Sequence, residues 1–229
     1  MERRGFIKFC AASVAALGSG ELAADARVQL YSKATLVDEK GAPLRASAIP
    51  VHRNLIFHYP FAATPCFLLN LGKPVKPAQL KTGSGEVYEW KGGVGATRSV
   101  VAYSAICAHR LSYPTKDISF ISFRSEKSAR NRIANVIHCC SEHSQYDPAE
   151  GARVVAGPAP QPLAAIVLEW DSAKDEIYAV GTLGGEMFAE FFDKFGFRLQ
   201  LEHGAPRAAV SGTCMVQELD NYCRQQVKC

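Results

Sequence analysis

The chain has 229 residues, with 26 Lys and Arg against 22 Asp and Glu, and a net charge of +4. That mild basicity is far from the balance of a nucleic-acid binder, though it suits docking on an acidic partner. Hydrophobic residues make up 48%, enough for a packed core, and after residue 26 no apolar run approaches the ~20 residues needed to cross a bilayer.

In chain order, the first signal is Arg3-Arg4-Gly5-Phe6-Ile7-Lys8, a pattern similar to a twin-arginine export signal. A short apolar stretch follows from Phe9 to Ser19, and Ala24-Asp25-Ala26 offers a small-residue cleavage site. Residues 1–26 are therefore expected to be an export signal and the mature protein periplasmic, with no transmembrane span after cleavage. An uncleaved signal or a partner would instead keep it at the membrane. From residue 27 onward, short runs rich in β-branched and aromatic residues predict strands: "RVQLYSKATLV", "NLIFHYP", "PCFLLNLG", "SVVAYSAIC", "ISFISFR", "AAIVLEWD" and "EIYAVGTLG". Clusters such as "GAPL", "GKPVKPA", "KGGVGA" and "GPAPQP" separate them as turns. The expected fold is mostly β and mostly antiparallel.

Two short boxes carry chemistry. Cys107-Ala108-His109 is a C-x-H box, and Cys140-Ser141-Glu142-His143 is a C-x2-H box. Together they offer two thiolates and two imidazoles, the ligand set of a centre in which cysteines hold one iron and histidines the other. "VAYSAICAHRL" leads into the first box, "HSQYD" follows the second, and Gly157-Pro158-Ala159-Pro160 comes soon after. From about residue 90 to 182 the chain resembles the Rieske iron–sulfur protein family.

The resemblance implies an antiparallel β base domain over 27–185 with a small cluster-binding subdomain inserted at about 104–148; residues 186–229 lie beyond the family core, as a C-terminal extension expected to hold a short helix. It also implies one [2Fe-2S] cluster. Cys107 and Cys140 are the expected ligands of the buried iron, and His109 and His143 those of the outer iron, the expected electron exit. Leu111 is expected to shield the cluster, and Ser144 and Tyr146 to donate hydrogen bonds to a sulfide and a ligand sulfur. Gly157 and Pro158 belong to the loop expected to cover the site. Neutral imidazoles leave the cluster less negative than four thiolates do, which raises the potential to roughly −150 to +300 mV.

This sequence departs from the family pattern in three places. Ser112 and Glu142 stand where quinol-oxidising members carry an extra cysteine pair, so the disulfide near the cluster is expected to be absent. The "HSQYD" stretch is one residue shorter than the usual H-G-S-x-Y-D. Cys139 sits just before Cys140, and would replace it only in a C-x3-H box.

The expected function is one-electron transfer as a subunit of a periplasmic oxidoreductase, similar to the small Rieske subunit of arsenite-oxidase-type enzymes. Its partners would be a larger catalytic or respiratory subunit and a cytochrome-type acceptor. Two alternatives stay open. One is the Rieske subunit of a quinol–cytochrome c oxidoreductase. The other is a zinc-stabilised binding module, since zinc also accepts two Cys and two His, although C-x-H spacing is unusual for it. A Rieske oxygenase needs a second, mononuclear iron site; only one histidine, His203, follows His143.

Beyond Cys10, Cys107 and Cys140, the cysteines Cys66, Cys139, Cys214, Cys223 and Cys229 remain, and an oxidising compartment permits disulfides among them. Cys214–Cys223 is the pairing expected first. The long interval between the boxes includes the basic stretch "RSEKSARNRIAN", read as a solvated loop or short helix. Phe188, Phe191, Phe192 and Phe195 fall at helical offsets, predicting a helix packed on the sheet; the competing reading is an aromatic face for a partner. His52, His58, His138 and His203 show no ligand spacing.

Overall fold

The computed structural model describes residues 28–128 and 132–229. The twin-arginine pattern lies outside the described residues, as does part of the basic stretch between the boxes. The remainder is a mostly β structure. In chain order the strands are β1 (Gln29–Val37), β2 (Leu55–His58), β3 (Pro65–Asn70), β4 (Ala78–Lys81), β5 (Val87–Trp90), β6 (Val100–Ser104), β7 (Ile118–Ser119) and β8 (Ile121–Arg124). They continue as β9 (Val136–Cys139), β10 (Gln145–Asp147), β11 (Arg153–Ala156), β12 (Ala165–Asp171) and β13 (Glu176–Leu183). After helix α1 (Met187–His203) come β14 (Gly212–Met215), β15 (Gln217–Glu218), a one-turn helix α2 (Leu219–Tyr222) and β16 (Gln225–Gln226).

Eight strands form the main sheet in the order β14-β1-β13-β12-β6-β3-β2-β15. Its central strands are buried on both faces. Along β3, Phe67 and Leu69 enter one core while Cys66 and Leu68 enter the other; along β6, Val101 and Tyr103 alternate in the same way with Val100 and Ala102. The twofold side-chain period of a strand explains why "PCFLLN" reads as a continuous apolar run rather than an alternation. The sheet curls until β14 meets β2, where Cys214 Sγ donates to the His58 carbonyl at 3.0 Å.

A smaller antiparallel sheet, in the order β11-β10-β9-β8, carries the second box. Its inward residues Ile121, Phe123, Ile137, Cys139 and Tyr146 share one core with Tyr103 of the main sheet and with α1. The Tyr103 hydroxyl crosses between the two sheets to the Pro148 carbonyl at 2.7 Å.

α1 realises the aromatic periodicity as a packed helix, longer than the short one expected. Phe188, Phe191, Phe192 and Leu199 are buried. Phe191 meets Tyr113 edge-on at 5.0 Å, and Phe192 meets Phe61 at 5.5 Å. The opposite side leaves Phe197 and Leu201 exposed. Among the described residues no helix is long and apolar enough to cross a membrane.

Candidate metal centre

The first box leaves the end of β6 as a tight loop. The Ile106 N–H caps back on Ser104 Oγ at 3.1 Å, the Cys107 N–H donates to the Ser112 carbonyl at 2.9 Å, and Leu111 takes a positive φ of 62°. The second box forms a loop of the same shape after β9. There the Cys139 N–H donates to the Ser144 carbonyl at 2.9 Å, and His143 takes a φ of 58°. In both loops the amide of the first cysteine bonds five residues ahead and the residue four ahead is left-handed. The equivalent of Cys107 is thus Cys139, not Cys140.

Side-chain contacts agree. Cys107 and Cys139 are both fully buried and hydrogen-bond to each other. The hydrogen bond from Cys139 holds the Cys107 thiol below its ordinary range, helped by the Tyr146 hydroxyl and the backbone N–H groups of His109 and Arg110, against the opposing effect of burial. Cys139, on the other side of that hydrogen bond and also buried, is pushed well up. Tyr146 is fully buried. Its hydroxyl accepts from the Ala108 N–H at 3.0 Å, leaving its own proton for Cys107 Sγ at 3.3 Å. Burial, then the neighbouring Cys107 thiolate, pushes this phenol up.

The expectation that Cys140 pairs with Cys107 is therefore corrected. Cys140 forms a disulfide with Cys229. Successive residues at the end of a strand point to opposite faces, so Ile137 and Cys139 face the core while His138 and Cys140 face the C-terminal segment. The signal was present in the sequence. Counted from Cys139, Ser144 and Tyr146 fall five and seven residues on, as in C-x2-H-G-S-x-Y; the one-residue shortfall exists only when the box starts at Cys140. In that register Glu142 occupies the histidine position and His143 the glycine position, which accounts for its positive φ. The Cys214–Cys223 pairing is likewise not formed. Both are buried thiols, with Cys214 donating to the His58 carbonyl and Cys223 to the Gln225 carbonyl. Cys229 had no sequence signal beyond the unmatched cysteine count.

The other expected residues gather at the same end. Leu111 is buried. Gly157 lies so close to the second loop that a Cβ there would sit 2.5 Å from the His143 carbonyl oxygen and 2.6 Å from Ser144 Cα, at a φ of 86°. Pro158 beside it is exposed. His143 is exposed at the tip of the second loop, its ring 5.9 Å from that of His138. Glu142 is held 3.7 Å from Arg110 of the first loop. The Lys194 ammonium of α1 donates to the Arg110 carbonyl at 2.9 Å, so the helix braces the first loop.

Among the described residues, His109 Nδ1 and Ser144 Oγ, both buried here, find no protein partner. An unpaired buried polar atom is costly, and a metal–sulfide group between the loops would take both, the imidazole as ligand and the hydroxyl as donor. Two adjacent buried thiols, one with lowered proton affinity, complete a donor set that fits an iron–sulfur cluster. His138, Cys140 and Cys229 also lie within ligand distance of one another, but two of these sulfurs are spent in the disulfide.

No family model matches the chain. Over 185 residues it is 29% identical to iodate reductase subunit IdrB of Pseudomonas sp. (strain SCT), spanning 80% of each chain. The crystal structure of the soluble domain of Rieske protein II (soxF) from Sulfolobus acidocaldarius shares 27% identity at a TM-score of 0.48, over 66% of this chain and 78% of that one.

Proposed function

The chain is of the Rieske type, and from that premise we propose that it is the electron-transfer subunit of a larger oxidoreductase, exported to the periplasm. The observation that carries the reading is the meeting of Cys107 and Cys139 beneath two loops of the same shape, with the Tyr146 hydroxyl on Cys107 Sγ. When bound, a [2Fe-2S] cluster supplies a one-electron couple.

The chain's own residues do the rest. Cys107 and Cys139 would hold one iron of such a cluster. Among the described residues His109 Nδ1 is buried without a protein partner and would hold the other iron; His143, the imidazole of the second loop, whose ring lies beside His138, would complete the set. The box is then C-x3-H rather than C-x2-H. The Glu142 carboxylate stays with Arg110 across the loops. Tyr146, already on Cys107 Sγ, and Ser144 would donate to the sulfur atoms and so favour the more negative, reduced state. Leu111 and the Gly157-Pro158 loop keep water from the inner side, while exposed His143 leaves an outer edge for electrons to cross.

The relative's name as a reductase subunit supports a large catalytic partner. Exposed Phe197 and Leu201, on the helix that braces the first loop, support a contact surface near the site. The Arg3-Arg4 pattern supports the periplasm, with a cytochrome-type protein as acceptor.

Purified wild type, Cys139→Ser and Cys140→Ser should be compared by iron and zinc analysis and by EPR after dithionite reduction. About two irons per chain and a rhombic signal of low average g are expected in wild type and Cys140→Ser, and neither in Cys139→Ser. Stoichiometric zinc in place of iron, or a signal lost only in Cys140→Ser, would overturn the assignment. Co-purification of a larger subunit with tagged chain, and recovery of both from the periplasmic fraction, test the partner and the compartment.

A further inference from the structure

The C-terminal segment crosses the base of the candidate centre. β16 pairs in parallel with β7, and the Val227 N–H donates to the Ser119 carbonyl at 2.9 Å. The Val227 carbonyl accepts from Arg124 at 2.5 Å, and the Cys229 carbonyl accepts from the Ser128 hydroxyl at 2.8 Å. The segment then ends in the Cys140–Cys229 disulfide, 89 residues apart in sequence and 5.6 Å between Cα atoms. Its anchor, Cys140, is the residue after the buried thiol Cys139. On the other side of that peptide the Cys140 N–H is held by the Phe120 carbonyl at 2.6 Å. Beneath the bridge lies fully buried His138, with Nδ1 3.5 Å from Cys229 Sγ.

We infer that Cys229 is a positioning residue: through its disulfide the C-terminal segment is a strap that holds the second cysteine loop in its metal-binding shape. The inference deepens the proposed function and rests on it for the identity of the bound group. The physical reason is local. Loop residues 141–143 are exposed or half-exposed and contribute none of the apolar side chains of the core. What fixes their path is the Cys139–Ser144 backbone bond, contact with Gly157, the Glu142–Arg110 ion pair and the covalent tie at Cys140. A loop that must present ligands in a fixed geometry gains from a link that removes its freedom before the metal arrives. The link is also the one part of this loop that redox chemistry opens. A dithiol such as dithiothreitol gives two electrons and two protons to the bond, leaving two thiols and itself becoming a cyclic disulfide.

The test has a metal-free arm and a loaded arm. In cluster-free protein, amide hydrogen exchange over residues 139–146 is compared between wild type, Cys229→Ser, and folded wild type treated with dithiothreitol. The treated wild type keeps the test valid should the variant fold poorly. Exchange there is expected to quicken about tenfold or more in both opened forms, with β12 and β13 unchanged. In loaded protein, iron release to a chelator is expected to quicken several-fold in Cys229→Ser, and the g-values of the reduced cluster to shift. Unchanged exchange and unchanged g-values in the opened forms would overturn the strap, as would mass spectrometry finding Cys140 and Cys229 unlinked in native wild type. Faster exchange in a protein that never takes iron would uphold the strap and overturn the electron-transfer reading.

Discussion

Replacing Tyr146 with phenylalanine removes one oxygen from a fully buried side chain and leaves the ring. That oxygen makes two bonds in the structure, accepting from the Ala108 N–H at 3.0 Å and donating toward Cys107 Sγ at 3.3 Å. The first loss leaves a buried N–H without a partner, a cost of about 1–3 kcal/mol. The second removes a donor to a sulfur that is more negative when the cluster is reduced. A hydrogen bond to a charged group contributes about 1.5–3 kcal/mol. If about 1 kcal/mol of that difference separates the two redox states, the potential falls by about 40 mV, since a tenfold change is 59 mV for one electron. Voltammetry of wild type and Tyr146→Phe measures the shift, and a thermal melt measures the lost stability. In cluster-free protein, the pH dependence of Cys107 alkylation should move upward, because the hydroxyl that favours the thiolate is gone. A variant with unchanged potential and an unchanged alkylation profile would refute the bonding assigned to Tyr146.

Other substitutions probe separate parts of the structure. Gly157→Ala places a Cβ against backbone of the second loop at a left-handed φ, so a loss of about 1–3 kcal/mol by chemical denaturation and weaker iron retention are expected. Wild-type stability with full iron would show that the loops do not touch. Phe191→Ala empties a fully buried site against Tyr113 and should cost about 3–5 kcal/mol in the same assay; a cost below about 1 kcal/mol would mean α1 is not docked there. His58 is pushed down to about 4, first by burial, then by His203 and Lys116, with the Tyr222 hydroxyl 3.4 Å from its Nε2. Between the ordinary 6.5 and 4, the unfolded chain takes up a proton that the folded one refuses. The stabilisation is therefore complete above 6.5 and lost as pH falls toward 4, by an amount on the order of 2–3 kcal/mol. His58→Gln should flatten that part of a urea-midpoint against pH curve, and an identical slope in both proteins would contradict it.

Much of this protein is legible in its residues alone. The β-branched and aromatic runs between Gly and Pro clusters specify strands, because side-chain shape and turn geometry act over a few residues. The offsets of Phe188, Phe191, Phe192 and Phe195 specify a helix for the same reason. The C-x-H box, with Leu111 and Tyr146, identifies the kind of site. Which of two adjacent cysteines enters it was misread: the C-x2-H count pointed to Cys140, whereas the spacing to Ser144 and Tyr146 pointed to Cys139. Cys139 and Cys140 are chemically identical and differ only in the face of the chain they occupy. That choice belongs to the tertiary structure: β9 turns Ile137 and Cys139 into the core shared with Cys107, and the C-terminal segment arrives on the opposite face to take Cys140. The partner of Cys140 lies 89 residues away, and no local pattern reports a contact made only when β16 pairs with β7. Local sequence determines the elements and the chemistry on offer, whereas the packing of distant elements decides which sulfur meets Cys107 and which is locked in a disulfide.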